Sequence, residues 1–219
     1  MEDERKPQAA SRKPSPWVPR AAFALACLPL AWLLVRALLG QLGANPIAEV
    51  LNRLGFFALV LLLCSLACTP LQIVIGWKWP LRLRRMLGLF AFSYGCAHFL
   101  TYAVLDQGLD FGEIGKDIVK RKFITIGMAT LLTLVPLAVT STDRWMRRLG
   151  FRRWKALHRL VYLAGILAVV HFTWRVKKDL REPLIFASVL GVLLGVRVID
   201  RLRRGHPFKR AAKRSTVET

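Results

Sequence analysis

Three histidines, His98, His158 and His171, stand inside apolar stretches of this sequence, while the fourth, His206, sits in a basic tail and is expected to be a solvated side chain. An imidazole in hydrocarbon is costly to leave unpaired, so each of the three is a candidate for cofactor, metal or proton chemistry. Their depths can be compared through the helical rise of about 1.5 Å per residue. Counted from Arg85, at one end of its run, His98 lies roughly 20 Å in. Counted from Lys155, at the same level of another run, His171 lies roughly 24 Å in and His158 roughly 5 Å in. His98 and His171 are thus nearly level, and two imidazoles facing each other at one depth can ligate a haem iron from both sides.

Small residues near this pair would leave room for a flat macrocycle. Gly95 lies one turn below His98, and Ala164, Gly165 and Ala168 lie below His171. The same residues would also permit plain close packing of helices. His158 is harder to place, because an ideal helix sets it roughly 140° around from His171. A bend near Gly165 would let it ligate a second haem; the other readings are help in flavin or quinone binding, or a hydrogen bond at the interface.

The elements that must position these side chains are legible as six apolar runs, about Ala21–Leu39, Val50–Ile75, Met86–Leu105, Phe123–Thr140, Ala156–Trp174 and Pro183–Ile199. Each has about the 20 residues needed to cross a hydrocarbon core. The fold class expected is an all-α membrane protein, a six-transmembrane-helix bundle occupying 21–199, between a disordered basic arm (1–20) and a basic cytoplasmic tail (200–219). The first run follows a basic segment as a secretory signal would, but Leu38-Leu39-Gly40-Gln41 lacks a small-residue cleavage site, so it is kept as a membrane helix.

The chain carries 34 Lys and Arg against 13 acidic residues, a formal net charge of +21. These charges are partitioned. The N-terminal arm, the segments Lys78–Arg85 and Arg144–Lys155, and the tail hold 22 Lys and Arg, whereas the intervening loops hold eight. By the positive-inside rule both termini are cytoplasmic. A basic run directly after a membrane helix anchors that helix on anionic lipid, which argues against a nucleic-acid binder. Cys27, Cys64, Cys68 and Cys96 all fall within apolar runs, so neither a disulfide framework nor a paired zinc motif is indicated. Trp77, Trp79, Trp145, Trp154 and Trp174 cluster near the run ends, as an interface belt requires.

Arg82, Arg84 and Arg85, with Arg152, Arg153 and Arg159 near His158, form a cytoplasmic basic rim. Such a rim can hold haem propionates or a flavin phosphate through charge-assisted hydrogen bonds. It is also what topology asks of any inside loop. The candidates singled out for this role are Arg84, Arg85 and Arg159.

Several separated stretches, in order, carry a resemblance: Asp117-Ile118-Val119-Lys120-Arg121, Phe123-Ile124-Thr125-Ile126-Gly127, Thr140-Ser141-Thr142, Arg148-Leu149-Gly150, Trp154 to Tyr162, and His171-Phe172. Together they resemble the haem-binding membrane subunits of periplasmic methionine-sulfoxide reductase systems. That family belongs to the ferric-reductase-like transmembrane proteins, related to the membrane domains of NADPH oxidases. The likeness spans about Arg84 to Lys177. One departure is Lys122, where proline would be expected, outside the haem region.

The resemblance implies a multi-pass protein of the bacterial inner membrane that binds haem b and FMN. Electrons would come from the respiratory chain's quinol or from a cytosolic flavin reductase. They would go to a periplasmic molybdopterin-containing reductase subunit, the other half of a heterodimer, which repairs oxidised methionines in proteins. His98, His171 and His158 match the family's haem-associated histidines, with His98 and His171 as iron ligands, and Arg84 and Arg85 match its cytoplasmic arginine pair. No catalytic residue is expected on this chain, since methionine sulfoxide would be reduced on the partner. After the sixth span there is no NADPH- or FAD-binding domain of the kind NADPH oxidases carry, so the donor would be another molecule. Two other readings stay open: a haem-dependent transmembrane ferric reductase, and a small polytopic transporter or assembly factor, which would be colourless.

Overall fold

The computed structural model describes residues 17–176 and 179–204. The expected basic arm therefore lies outside the described residues apart from 17–20, and the basic tail, His206 included, apart from 200–204. Every regular element among the described residues is helical: α1 (Trp17–Leu38), α2 (Pro46–Val74), a 3-10 turn (Trp79–Arg82), α3 (Arg84–Leu100) with a π-helical extension (Thr101–Asp106), α4 (Phe111–Lys120), α5 (Lys122–Val139), α6 (Asp143–Leu149), α7 (Phe151–Leu157), α8 (Leu160–Arg175) and α9 (Arg181–Arg204). Six are long and apolar enough to cross a membrane: α1, α2, α3 with its extension, α5, the α7–α8 rod, and α9. They coincide with the six apolar runs to within a few residues.

Local chemistry sets the ends of these elements. Pro46 opens α2, where its missing N–H is no loss, and the Asn45 side chain accepts from the Ala48 amide at 3.0 Å. Asp110 caps α4 by accepting from Gly112 and Glu113. Gly150, with φ of +73°, turns α6 into α7, a conformation a β-carbon would strain.

The core is built from two helix pairs, α2 with α3 and α5 with α8; contacts between the pairs are far fewer, while α9 packs on α2 and α8. Ala91 of α3 and Ala164 of α8 are 1% and 0% exposed, so close backbone approach, rather than ligand space, explains Ala164. Gly165 likewise serves packing, because a β-carbon there would sit 3.2 Å from Leu66 and 3.4 Å from Leu190. Phe23, Leu25 and Leu28 of α1 and Leu184, Ile185 and Val189 of α9 face outward. Such surfaces suit hydrocarbon rather than water.

Besides the Arg36–Glu49 ion pair and the Phe23–Phe90 contact, a hydroxyl ties helix α1 to the bundle. Pro29 interrupts its backbone ladder, and Tyr94 of α3 inserts there, donating to Ala26 O at 2.8 Å and accepting from Leu30 N at 3.0 Å. Replacing Tyr94 with phenylalanine is expected to lower stability in detergent by about 1 kcal/mol, since one side-chain bridge is lost while the backbone pair can partly re-form. A thermal-unfolding comparison of Y94F with wild type checks this, and an unchanged midpoint would refute it.

Candidate functional site

His98 and His171 face each other across the seam between the two helix pairs, with ring centroids 6.2 Å apart and ring planes at 81°. Each imidazole is held by the same device. The Nδ1 of His98 lies 2.8 Å from Leu51 O on α2, and the Nδ1 of His171 lies 2.6 Å from Phe123 O on α5. A carbonyl oxygen can only accept, so in both rings Nδ1 carries the proton and donates it. The lone pair is thereby fixed on Nε2, which has no hydrogen-bond partner among the described residues in either ring.

The anchoring helices also make space for the rings. Gly55 follows Leu51 by one turn, and a β-carbon there would lie 3.0 Å from His98 Nδ1. Gly127 follows Phe123 by one turn, and a β-carbon there would lie 2.7 Å from His171 Cε1. Carbonyl and glycine four residues apart thus recur on α2 and α5. Gly127 belongs to the Phe123-Ile124-Thr125-Ile126-Gly127 motif, whereas nothing in the sequence marks Gly55.

Both histidines line a cavity of about 370 Å³. Its walls are apolar, with Leu59, Leu62, Phe99, Met128, Leu131, Leu134 and Phe172 among them, and Gly95 and Ala168 lie there as the sequence suggested. Its charged lining residues are Asp106, Arg121 and Arg175. Past His98 the helix loosens into the π-helical turn, where Gln107 N bonds Tyr102 O at 3.0 Å and Leu109 N bonds Ala103 O at 2.8 Å. Tyr102 is buried against Ile114 of α4 and donates to Asp117. This irregular turn closes the cavity's end with α4, a use typical of π-helical segments near sites.

A metal-bearing macrocycle would fit what is present, with His98 and His171, 6.2 Å apart between ring centroids, as the residues that would hold it. The walls suit a flat apolar ring, and both Nε2 lone pairs are free to bind.

His158 lies elsewhere. The helical rod is interrupted at His158–Arg159, between α7 and α8, and α8 runs unbroken through Gly165. The imidazole stacks on Trp154 at 4.0 Å, with Nδ1 3.1 Å from Trp154 O, and its Nε2 is buried with the Leu137 carbonyl near it but no well-formed hydrogen bond. Trp154 is itself pinned to Thr140 O through its indole N–H at 2.9 Å. Arg84 is within electrostatic range of His158, and its guanidinium lies 3.5 Å from Thr69 Oγ1. Arg85 pairs with Asp143 at 2.7 Å on an exposed surface, and Arg159 is exposed. None of Arg84, Arg85 and Arg159 lines the cavity between His98 and His171.

Arg197 was missed from sequence, although a lone arginine inside an apolar run was the available signal. Its guanidinium bonds Leu193 O and Leu66 O and lies over the Tyr162 ring at 5.4 Å. It ties α9 to α2 by capping carbonyls, a structural use.

Comparison with known proteins adds an independent finding. Residues 54–169 match the family described as ferric reductase like transmembrane component. The chain is 56% identical over 184 residues to the protein-methionine-sulfoxide reductase heme-binding subunit MsrQ of Rhodospirillum rubrum, covering 84% of this chain and 88% of that protein. It is 48% identical over 180 residues to the protein of the same name from Ralstonia nicotianae, covering 81% and 83%. For that of Azospira oryzae the figures are 47% over 189 residues, covering 86% and 81%.

Proposed function

Because the chain belongs to the ferric-reductase-like transmembrane family and to the heme-binding MsrQ subunits of protein-methionine-sulfoxide reductases, we propose that it carries electrons through haem b held by His98 and His171. It is a multi-pass membrane protein. The observation that carries the proposal is the facing pair of imidazoles, each with its proton committed to a carbonyl and its Nε2 directed to one apolar cavity. The haem supplies one-electron chemistry when bound.

What the chain contributes is position and surroundings. Leu51 O and Phe123 O fix the tautomer and make Nε2 a better donor, as outer hydrogen bonds do for metal-bound histidine generally. Gly55 and Gly127 let the rings lie against their anchoring helices. The leucine and phenylalanine walls exclude water, which keeps protons and small oxidants away from the transferred electron.

With both termini cytoplasmic, as the charge partition requires, this site stands in the periplasmic half of an inner-membrane protein. Electrons from quinol or a cytosolic flavin reductase would enter at the basic face and leave for a periplasmic molybdopterin-containing subunit. On the basic face, the buried imidazole of His158 beside Arg84 suits a second cofactor, a haem or the FMN, with Arg85 and Arg159 near its phosphate or propionates.

A dithionite-reduced spectrum of the purified full-length protein, with haem and flavin quantified per chain, tests the reading. Haem b absorbance is expected, and a colourless protein would reject it in favour of a transporter or assembly factor. An H158A variant is expected to keep the low-spin signal of the His98–His171 site and to lose only a second haem or the flavin. Disappearance of all haem in H158A, with the protein still folded, would contradict the separation of the two sites.

A further inference from the structure

The cavity between His98 and His171 is apolar along its walls and charged at one end, and the charge there is mostly positive. Arg175 follows His171 by one helical turn on α8, toward that end, and Arg121 precedes by two residues the Phe123 whose carbonyl anchors His171. Both line the cavity. Arg121 is shared with Asp117, 3.2 Å away. Arg175 donates to the amide oxygen of Asn52, the residue after the Leu51 that anchors His98, and among the described residues no carboxylate forms an ion pair with it. Arg175 ends α8, half-buried, with a neutral amide as its hydrogen-bond partner and Glu182 in electrostatic range, so its guanidinium can still take an anionic partner.

Resting on the reading that His98 and His171 hold haem, we propose that Arg175, with Arg121 across the same mouth, is the clamp for the two carboxylates of that macrocycle. The reasoning is one of complementarity. A haem is apolar around most of its edge and carries its two propionates together on one side. The cavity repeats that division, and a guanidinium matches a carboxylate with a two-pronged hydrogen-bonding face. The remaining lining charge, Asp106, accepts from the Gln107 side chain at 3.0 Å and would repel a carboxylate, so the clamp lies on the Arg175 and Arg121 side. The arginines of the basic rim cannot serve this haem, since none lines its cavity.

The assignment separates the carboxylates from the ring. Full-length protein produced under haem limitation is titrated in detergent with haem and with its dimethyl ester, for wild type and for an R121M/R175M double variant, following the low-spin absorbance of the bis-imidazole site. Wild type is expected to bind haem at least ten times more tightly than the ester. The double variant should bind the ester as well as wild type does and should lose the preference for the free acid.

Equal binding of the two compounds by wild type overturns the clamp, as does a double variant that keeps the preference. So does a double variant that no longer binds the ester, because a carboxylate clamp is of no use to that ligand. If wild type gives no low-spin spectrum with either compound, the haem reading itself fails and takes the clamp with it.

Discussion

A chain carrying His171→Ala, or His98→Ala, is expected to lose the reducible absorbance of the bis-histidine haem, with haem content at that site falling at least tenfold. Each histidine supplies one of the two imidazoles that line the cavity, and among the described residues no other histidine or cysteine lines it. The truncation also frees a backbone carbonyl, Phe123 O or Leu51 O, from its side-chain donor. That loss costs about 1 kcal/mol. It is too small to unfold the bundle, so the variants should still be recovered as folded protein. Spectra of the two variants beside H158A make the check: full low-spin haem in both H98A and H171A would sink the ligand assignment.

The second large effect is expected from a residue that touches no ligand. Gly127→Val should strip most of the haem while leaving both histidines in the chain. Even the first carbon of any side chain at this position would lie 2.7 Å from His171 Cε1 and 2.8 Å from Nδ1, closer than real contacts allow. The ring cannot simply retreat, because its Nδ1 is tied to Phe123 O one turn away on the same helix. Overpacking of this sort costs about 1–3 kcal/mol. The cheapest relief is to break the anchor and swing Nε2 off the axis of the site. Gly55→Val should act in the same direction through His98, where the clearance is 3.0 Å. Gly191→Val is the control, since a β-carbon there meets nothing within 4 Å and the residue does not line the cavity. Haem-to-protein ratios measured on the three variants decide the point, and a G127V protein with wild-type haem would refute the cradle.

The six spans and the level placement of His98 and His171 were legible because hydrophobic length and helical rise are one-dimensional quantities. What the sequence hid is lateral. Room for the rings comes from Gly55 and Gly127 on the facing helices α2 and α5, whereas Gly165, beside His171 in sequence, packs against Leu66 and Leu190. Which glycine faces which ring depends on helix pairing, and no periodicity reports that. The carbonyl anchors were invisible for the same reason. The fifth span is interrupted at His158–Arg159, where the sequence offers only a continuous 3.6-residue repeat. Arg121 and Arg175 read as ordinary loop charges, because no periodicity reports that the ends of α4 and α8 meet at one cavity. Arg84, Arg85 and Arg159 were legible as a basic rim because topology alone demands one.

The twofold recurrence of carbonyl, glycine and histidine has a consequence for how the protein is made. Each helix pair, α2 with α3 and α5 with α8, contains both an imidazole and the carbonyl that fixes its tautomer. Neither pair needs the other to prepare its half of the site. The seam between them is the last surface to close, and a group bound from both sides would act as the rivet that closes it. Maturation can then be ordered in time, with insertion of the two pairs first and cofactor capture as the step that locks the bundle.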